Sequence, residues 1–314
     1  MNVKRVGVGF LVLFFLLITL GFSAAESGQT MKSKFALGRY PDFKIGILAN
    51  NFIKPLPLSK DNMMKIIDWA SLNGLSWIEI RDPRADLTYM ECQELAAYAV
   101  SRKIEIIYAL NIGFLDPQFA EVFARGCANA SLFAGPRVIR TSAPGPEFTA
   151  DPKKAAWTKE EFDKLIQIAN NAANTAKLVG LQLVIEHAFE TMQGDGTTTF
   201  GMVEIQTMGN SNIGSQYDTA NFFAVSRTPV SPEKAKSYYE RFANKTYYVH
   251  IKTSNREHKV TDITSDNELD LGVIFDILAK ARINYLALEI NQQAKFEDCE
   301  KNLLKSLDYL KNKF

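Results

Sequence analysis

The sequence predicts a single-domain α/β fold, a (β/α)8 TIM barrel, on three observations. Short apolar runs alternate with longer amphipathic runs from Phe43 to the end of the chain. The short runs number eight, the strand count of that barrel. The remaining length, about 280 residues after an apolar leader, suits one barrel better than one ordinary core.

The expected strands are Phe43–Asn50, Ser76–Arg81, Ile104–Asn111, Arg137–Ser142, Leu181–His187, Asn212–Asp218, Thr246–Lys252 and Tyr285–Ile290. Each is short, apolar and rich in β-branched or aromatic residues. Helical runs are expected at Ser59–Asn73, Thr88–Lys103, Pro117–Phe133, Lys159–Val179, Ser231–Phe242, Leu271–Ala281 and Phe296–Lys313. A shorter one, Phe200–Met208, links the fifth and sixth strands. Gly74, Gly135 and Gly180 stop helices just before strands. Ser59 with Asn62, Asp116-Pro117, Thr158 with Glu161, and Ser231-Pro232 supply start signals. A doubly wound open sheet shares the alternation. The first strand, however, leads into Ile-Gly-Ile-Leu-Ala-Asn-Asn, which has one glycine and no dinucleotide fingerprint.

Residues 1–25 read as a signal peptide, with Lys4 and Arg5, an apolar run from Gly7 to Phe22, and Ser23-Ala24-Ala25 at the cut. The competing reading is a retained membrane anchor, because the run is nearly long enough to span a bilayer. No cysteine lies near the cut, which argues against a lipid anchor. Residues 26–42 form a polar arm and 43–314 the barrel. No further membrane span is expected after signal cleavage. Cys92, Cys127 and Cys299 lack metal-type spacing and read as plain buried thiols; export with so few cysteines suits a bacterial periplasm. The chain carries 36 basic and 35 acidic residues, for a formal net charge of +1. That balance gives no footprint for nucleic acid.

Four strand-end residues carry the functional signal: Glu186, Asp218, His250 and Glu289. They lie 32, 32 and 39 residues apart, about one strand-plus-helix unit each. In a barrel strand alternate residues face the lumen and the helices. Leu183, Ile185, Tyr217, Tyr247, Val249, Ile251, Leu286 and Leu288 then face the helices. Val184, Glu186, Asp218, Tyr248, His250, Lys252, Ala287 and Glu289 face in. Three carboxylates buried together need a cation. With one imidazole they suit Mn²⁺, Mg²⁺, Co²⁺ or Zn²⁺. The alternative is four separate polar groups on a solvated rim. By the same parity Glu79 and Arg81 point inward, as an ion pair or as substrate contacts, and Arg140 is similar. His187, Asn221, Glu190, Arg256 and His258 lie in loops beside this set.

These residues resemble the xylose isomerase-like barrel superfamily of sugar phosphate isomerases and epimerases, over about 43–312. Its strands five to eight end in Glu, Asp, His and Glu, matched here by Glu186, Asp218, His250 and Glu289. Tyr-Val-His250-Ile-Lys252 and Trp-Ile-Glu79-Ile-Arg81 are similar to its strand-seven and strand-two patterns. The resemblance implies one divalent metal ion, held by all four residues. It implies catalysis by Glu186 and Glu289 as acid–base ligands on opposite faces of a carbon beside a carbonyl, through an enediolate. Arg256 stands where the 3-epimerases bind substrate, and Glu79, Arg81, Asn221 and Lys252 complete the expected substrate contacts. Two positions depart from the pattern: Thr253 replaces an Asp, and Asn221 replaces a substrate-binding His. With export, these departures favour a free sugar, or an oxidised or glycosidic one, over a sugar phosphate. Lyase or hydratase chemistry on 3-keto-sugars, and a non-catalytic sugar-binding barrel, are the alternatives. An apurinic-site endonuclease is disfavoured by three histidines and balanced charge. A homo-oligomer stays open.

Overall fold

A computed structural model describes residues 34–142, 159–186, 210–220, 243–255, 260–264 and 269–314, with 233, 236 and 240 between them. The barrel strands are β1 (Lys44–Leu48), β2 (Trp77–Arg81), β3 (Glu105–Ala109), β4 (Val138–Ser142), β5 (Gln182–Glu186), β6 (Ile213–Asp218), β7 (Thr246–Ile251) and, after a small hairpin, β10 (Tyr285–Leu288). They close a parallel barrel in the order β1-β10-β7-β6-β5-β4-β3-β2. The described helices are α1 (Lys60–Leu72), α2 (Tyr89–Ser101), α3 (Phe119–Ala130), α4 (Lys159–Leu178), α5 (Leu271–Lys280) and α6 (Phe296–Lys313). The hairpin pairs β8 (Thr253–Ser254) with β9 (Val260–Thr261).

The helix signals act through ordinary capping. The Ser59 hydroxyl accepts from the Asn62 amide, and Thr88 with Glu91 forms a reciprocal capping box. Gly74, Gly135 and Gly180 all take positive φ, at 73°, 128° and 71°, which glycine adopts without steric cost. Asp116 lies further from its helix than expected. Its carboxylate accepts from the Gln118 amide, and the helix begins at Phe119. The expected helices at Phe200–Met208 and most of Ser231–Phe242 lie outside the described residues, as do Thr158 and the signal segment.

Two cores follow from strand alternation. The outer one packs Ile45, Ile78, Ile80, Leu183, Ile185, Tyr217, Val249, Ile251, Leu286 and Leu288 against the helices. Each fully buried aliphatic side chain there contributes about 1.5–3 kcal/mol. The inner one fills the lumen with Leu48, Trp77, Ile107, Val138, Val184, Tyr248 and Ala287. Gly46 makes room for the largest of these. A Cβ at Gly46 would meet the Trp77 carbonyl at 2.5 Å and its indole at 2.6 Å.

One residue breaks the expected parity. Tyr247 packs against the inner cluster, not the helices. The β6–β7 register runs Ser215↔Thr246 and then Gln216↔Tyr248, so Tyr247 is the extra residue of a bulge. Gly214 accommodates its ring, since a Cβ there would lie 2.0 Å from it. The bulge restores the parity of Tyr248 and His250.

Cys92, Cys127 and Cys299 are buried free thiols. Burial pushes the Cys92 and Cys127 thiols up to about 12, so neither is a ready nucleophile. Among the described residues, no helix is long and apolar enough to cross a membrane.

Candidate metal centre

Along five of the inward rows the lining changes from apolar to ionisable towards the carboxyl end of the strand. Trp77 gives way to Glu79 and Arg81, Val138 to Arg140, Val184 to Glu186, Tyr248 to His250, and Ala287 to Glu289. The register sets Asp218 beside His250 and Ala287 beside His250. The Glu289 amide continues the ladder by donating to the Ile251 carbonyl at 3.0 Å. These polar groups therefore share one end of the barrel, the face where such folds carry their sites.

Glu186, Asp218 and His250 each offer a ligand atom within 4.8 Å of the others. Glu289 joins them from the next strand, with Oε2 at 3.2 Å from His250 Nδ1; Glu186 Oε1 lies 3.9 Å from the same nitrogen. The remaining oxygens face protein cations. Glu186 Oε2 pairs with Arg140. Lys252 Nζ donates to Glu289 Oε1 at 3.0 Å and to Asp218 Oδ2 at 3.3 Å. Asp218 Oδ1 accepts from the Ala220 amide.

Behind His250 sits Glu79, fully buried. Its Oε2 lies 2.8 Å from His250 Nε2 and accepts from the Tyr248 hydroxyl at 2.8 Å. Its Oε1 accepts from Arg81 at 3.4 Å. Glu79 thus forms the internal ion pair, one of the two readings open for it. Tyr248 was legible only as an inward residue, and Arg140 lacked a partner; the lumen supplies both relationships.

Charge is tightly managed here. Burial alone would raise the Glu79 carboxyl, but His250, Arg140 and Arg81 outweigh it and hold it far below the ordinary range. Burial opposes charge on His250, yet Glu79 and Glu289 raise its pKa above the usual 6.5. Burial likewise opposes charge on Lys252, which Asp218 and Glu289 overcome. Glu289 is held well below the carboxylate range by Lys252 and His250 against its burial. Asp218 goes the other way, because burial exceeds what Lys252 returns. Lys252 lies nearer Glu289, which also has His250 and Arg81 for support.

The residues fit a divalent cation on one structural ground. His250 Nδ1 and Glu289 Oε2 are buried, 3.2 Å apart, and have no hydrogen-bond partner. In the neutral imidazole, with Nε2–H donated to Glu79, both atoms would present lone pairs to one another. A proton or a metal ion between them removes that repulsion.

Sequence comparison assigns the family. A profile described as xylose isomerase-like TIM barrel matches residues 67–313. The chain belongs to the xylose isomerase-like TIM barrel family. Solved structures of this family share its fold at low identity. A D-allulose 3-epimerase from Methylomonas sp. in complex with D-allulose is 15% identical, with a TM-score of 0.64 over 91% of this chain and 100% of that one. A xylose isomerase-like protein from Mycobacterium smegmatis in complex with magnesium is 15% identical, with a TM-score of 0.63 over 86% and 97%. A 3-keto-D-glucoside 4-epimerase from E. coli is 13% identical, with a TM-score of 0.59 over 84% and 98%. No curated protein matches the sequence.

Asn221, Arg256, His187, Glu190 and His258 lie outside the described residues. Thr253, where the family pattern carries Asp, turns away from the charged cluster. Its hydroxyl donates to the carbonyls of Thr261 and Asp262, which pins the β8–β9 hairpin.

Proposed function

We propose that this chain is a divalent-metal-dependent sugar isomerase or epimerase that moves a proton beside a carbonyl. The observation that carries the reading is the facing pair of His250 Nδ1 and Glu289 Oε2, with Glu186 Oε1 close by. The sugar epimerases of the same fold, and the relative solved with magnesium, support it.

A divalent ion bound by Glu186, Asp218, His250 and Glu289 supplies Lewis acidity, which acidifies the C–H beside a carbonyl. Exposure divides the work among the four. Asp218 and His250 side chains are fully buried, whereas Glu186 and Glu289 remain 11% and 14% accessible. The two glutamates therefore reach the substrate, and Asp218 and His250 anchor. Glu289, held ionised by Lys252, removes the proton. Glu186 stands on the far side of His250 in strand order; it takes up a proton from solvent and delivers it to the opposite face, while Glu289 releases the abstracted proton to solvent. Arg81 keeps 16% of its side chain accessible, and its buried Nε has no hydrogen-bond partner. These features support a role for Arg81 in holding a substrate oxygen, with Lys252 beside it. The same base serves elimination when the neighbouring carbon bears a leaving group. The basic, apolar leader fits export to a periplasm, where free ketoses and 3-keto-glycosides are the candidate substrates.

Calorimetric titration of chelator-stripped protein with Mn²⁺ tests the metal. One ion per chain is expected, with binding weakened at least tenfold in Asp218→Ala. The His250 pKa lies above 6.5, and the ion must displace that proton. Affinity is therefore expected to fall as pH drops through that raised value and to level off above it. A pH-independent affinity, or no binding, contradicts the reading.

A further inference from the structure

We propose that Glu79 is the positioning residue of this centre: it fixes the orientation of His250 so that Nδ1, not Nε2, is the ligand atom. The inference rests on the metal-dependent reading above.

Glu79 reaches His250 across the lumen. In the closed sheet β2 and β7 are separated by β1 and β10, so no backbone pairing brings the two together, and the contact belongs to side chains alone. Three donors crowd the one carboxylate, from His250, Tyr248 and Arg81. All three are in or beside the lumen and fix the carboxylate plane. Tyr248 is itself held edge-on to Trp77, with ring centroids 5.8 Å apart, and edge-on to His250 at 5.6 Å. The imidazole is thus fixed by a hydrogen bond at one nitrogen and by a ring along its side. A half-turn would take Nε2–H away from Glu79 and leave a buried carboxylate oxygen short of a donor, which is costly because the group stays desolvated. Held as it is, the ring points Nδ1 at Glu289 Oε2 and Glu186 Oε1. A carboxylate on the far nitrogen also makes a ligating histidine more basic.

Two readouts test this without measuring turnover. Protein labelled with ¹⁵N-histidine and loaded with ¹¹³Cd²⁺ is expected to show metal–nitrogen scalar coupling to Nδ1 of His250. Mn²⁺ titration is expected to show affinity reduced about 10–100-fold in Glu79→Ala, with Glu79→Gln retaining most of it. The amide oxygen of Gln accepts the same Nε2–H, so this rescue separates orientation from simple loss of charge. Coupling through Nε2 in the wild type, or equal affinity in wild type and Glu79→Ala, overturns the proposal and leaves the functional reading standing. A wild-type chain that binds neither ion removes the functional reading and this inference with it. If Glu79→Ala does not fold, as read by its melting curve, the wild-type coupling and the Glu79→Gln affinity decide.

Discussion

Glu289→Gln is expected to lower turnover by about 10²–10⁴-fold at saturating Mn²⁺, with the melting transition retained. Gln keeps the shape and one ligating oxygen but cannot take a proton. Glu289 is the carboxylate best prepared for that task. It is held ionised by Lys252 at 3.0 Å, and its Oε2 has no hydrogen-bond partner. Glu186→Gln is expected to lose activity similarly, because epimerisation needs a group on each face. The fully buried Asp218 gives the contrast. Asp218→Asn should weaken metal binding more than it lowers turnover once metal is saturating. Steady-state kinetics across a Mn²⁺ series separates these outcomes. Near-normal turnover in either Gln variant would remove the two-carboxylate account.

Arg140→Met is expected to destabilise the fold by about 3–5 kcal/mol. Arg140 is fully buried, pairs with Glu186 and donates to the Leu110 carbonyl at 3.1 Å. Methionine fills much of the volume but leaves Glu186 charged, nearly buried and short of its cation. Breaking a buried pair from one side costs more than the pair was worth, because the survivor stays desolvated. Two controls follow from that argument. Arg140→Met with Glu186→Gln should recover much of the loss. Excess Mn²⁺ should also recover part of it in the single variant, since a bound ion replaces the missing positive charge. Urea unfolding with and without Mn²⁺ measures both effects. A loss under 1 kcal/mol would show that the guanidinium is not needed to neutralise Glu186.

Much of this architecture is written locally in the chain. The helix-stopping glycines need only their own φ angles, and strand alternation is a two-residue rule. Both are visible in residues 74–81, where Gly74 ends α1 and Glu79 and Arg81 emerge facing inward. The same rule placed Glu186, Asp218, His250 and Glu289 in one lumen. Contacts across that lumen are a different matter. Glu79 and His250 stand 171 positions apart. Parity says that both face in, not that one hydrogen-bonds the other. Arg140 and Glu186 are neighbours only because β4 and β5 pair with a particular register. Tyr247 shows the limit of the two-residue rule itself. A bulge inserts one residue, and nothing in Lys-Thr-Tyr-Tyr-Val-His announces it apart from the glycine at 214 on the facing strand. Thr253 similarly departs from the family pattern for a reason beyond strand parity, since its hydroxyl closes a hairpin to residues eight and nine positions on.

The most direct test of proton abstraction at this centre is deuterium exchange. Ketoses and 3-keto-glycosides are incubated with the protein in D₂O, with Mn²⁺ and again with chelator, and read by NMR and mass spectrometry. The account predicts uptake of one deuteron at a single carbon beside the carbonyl of one substrate class, abolished by chelator and by Glu289→Gln. Exchange that survives both treatments, or conversion of a substrate with no deuterium incorporated, would contradict it.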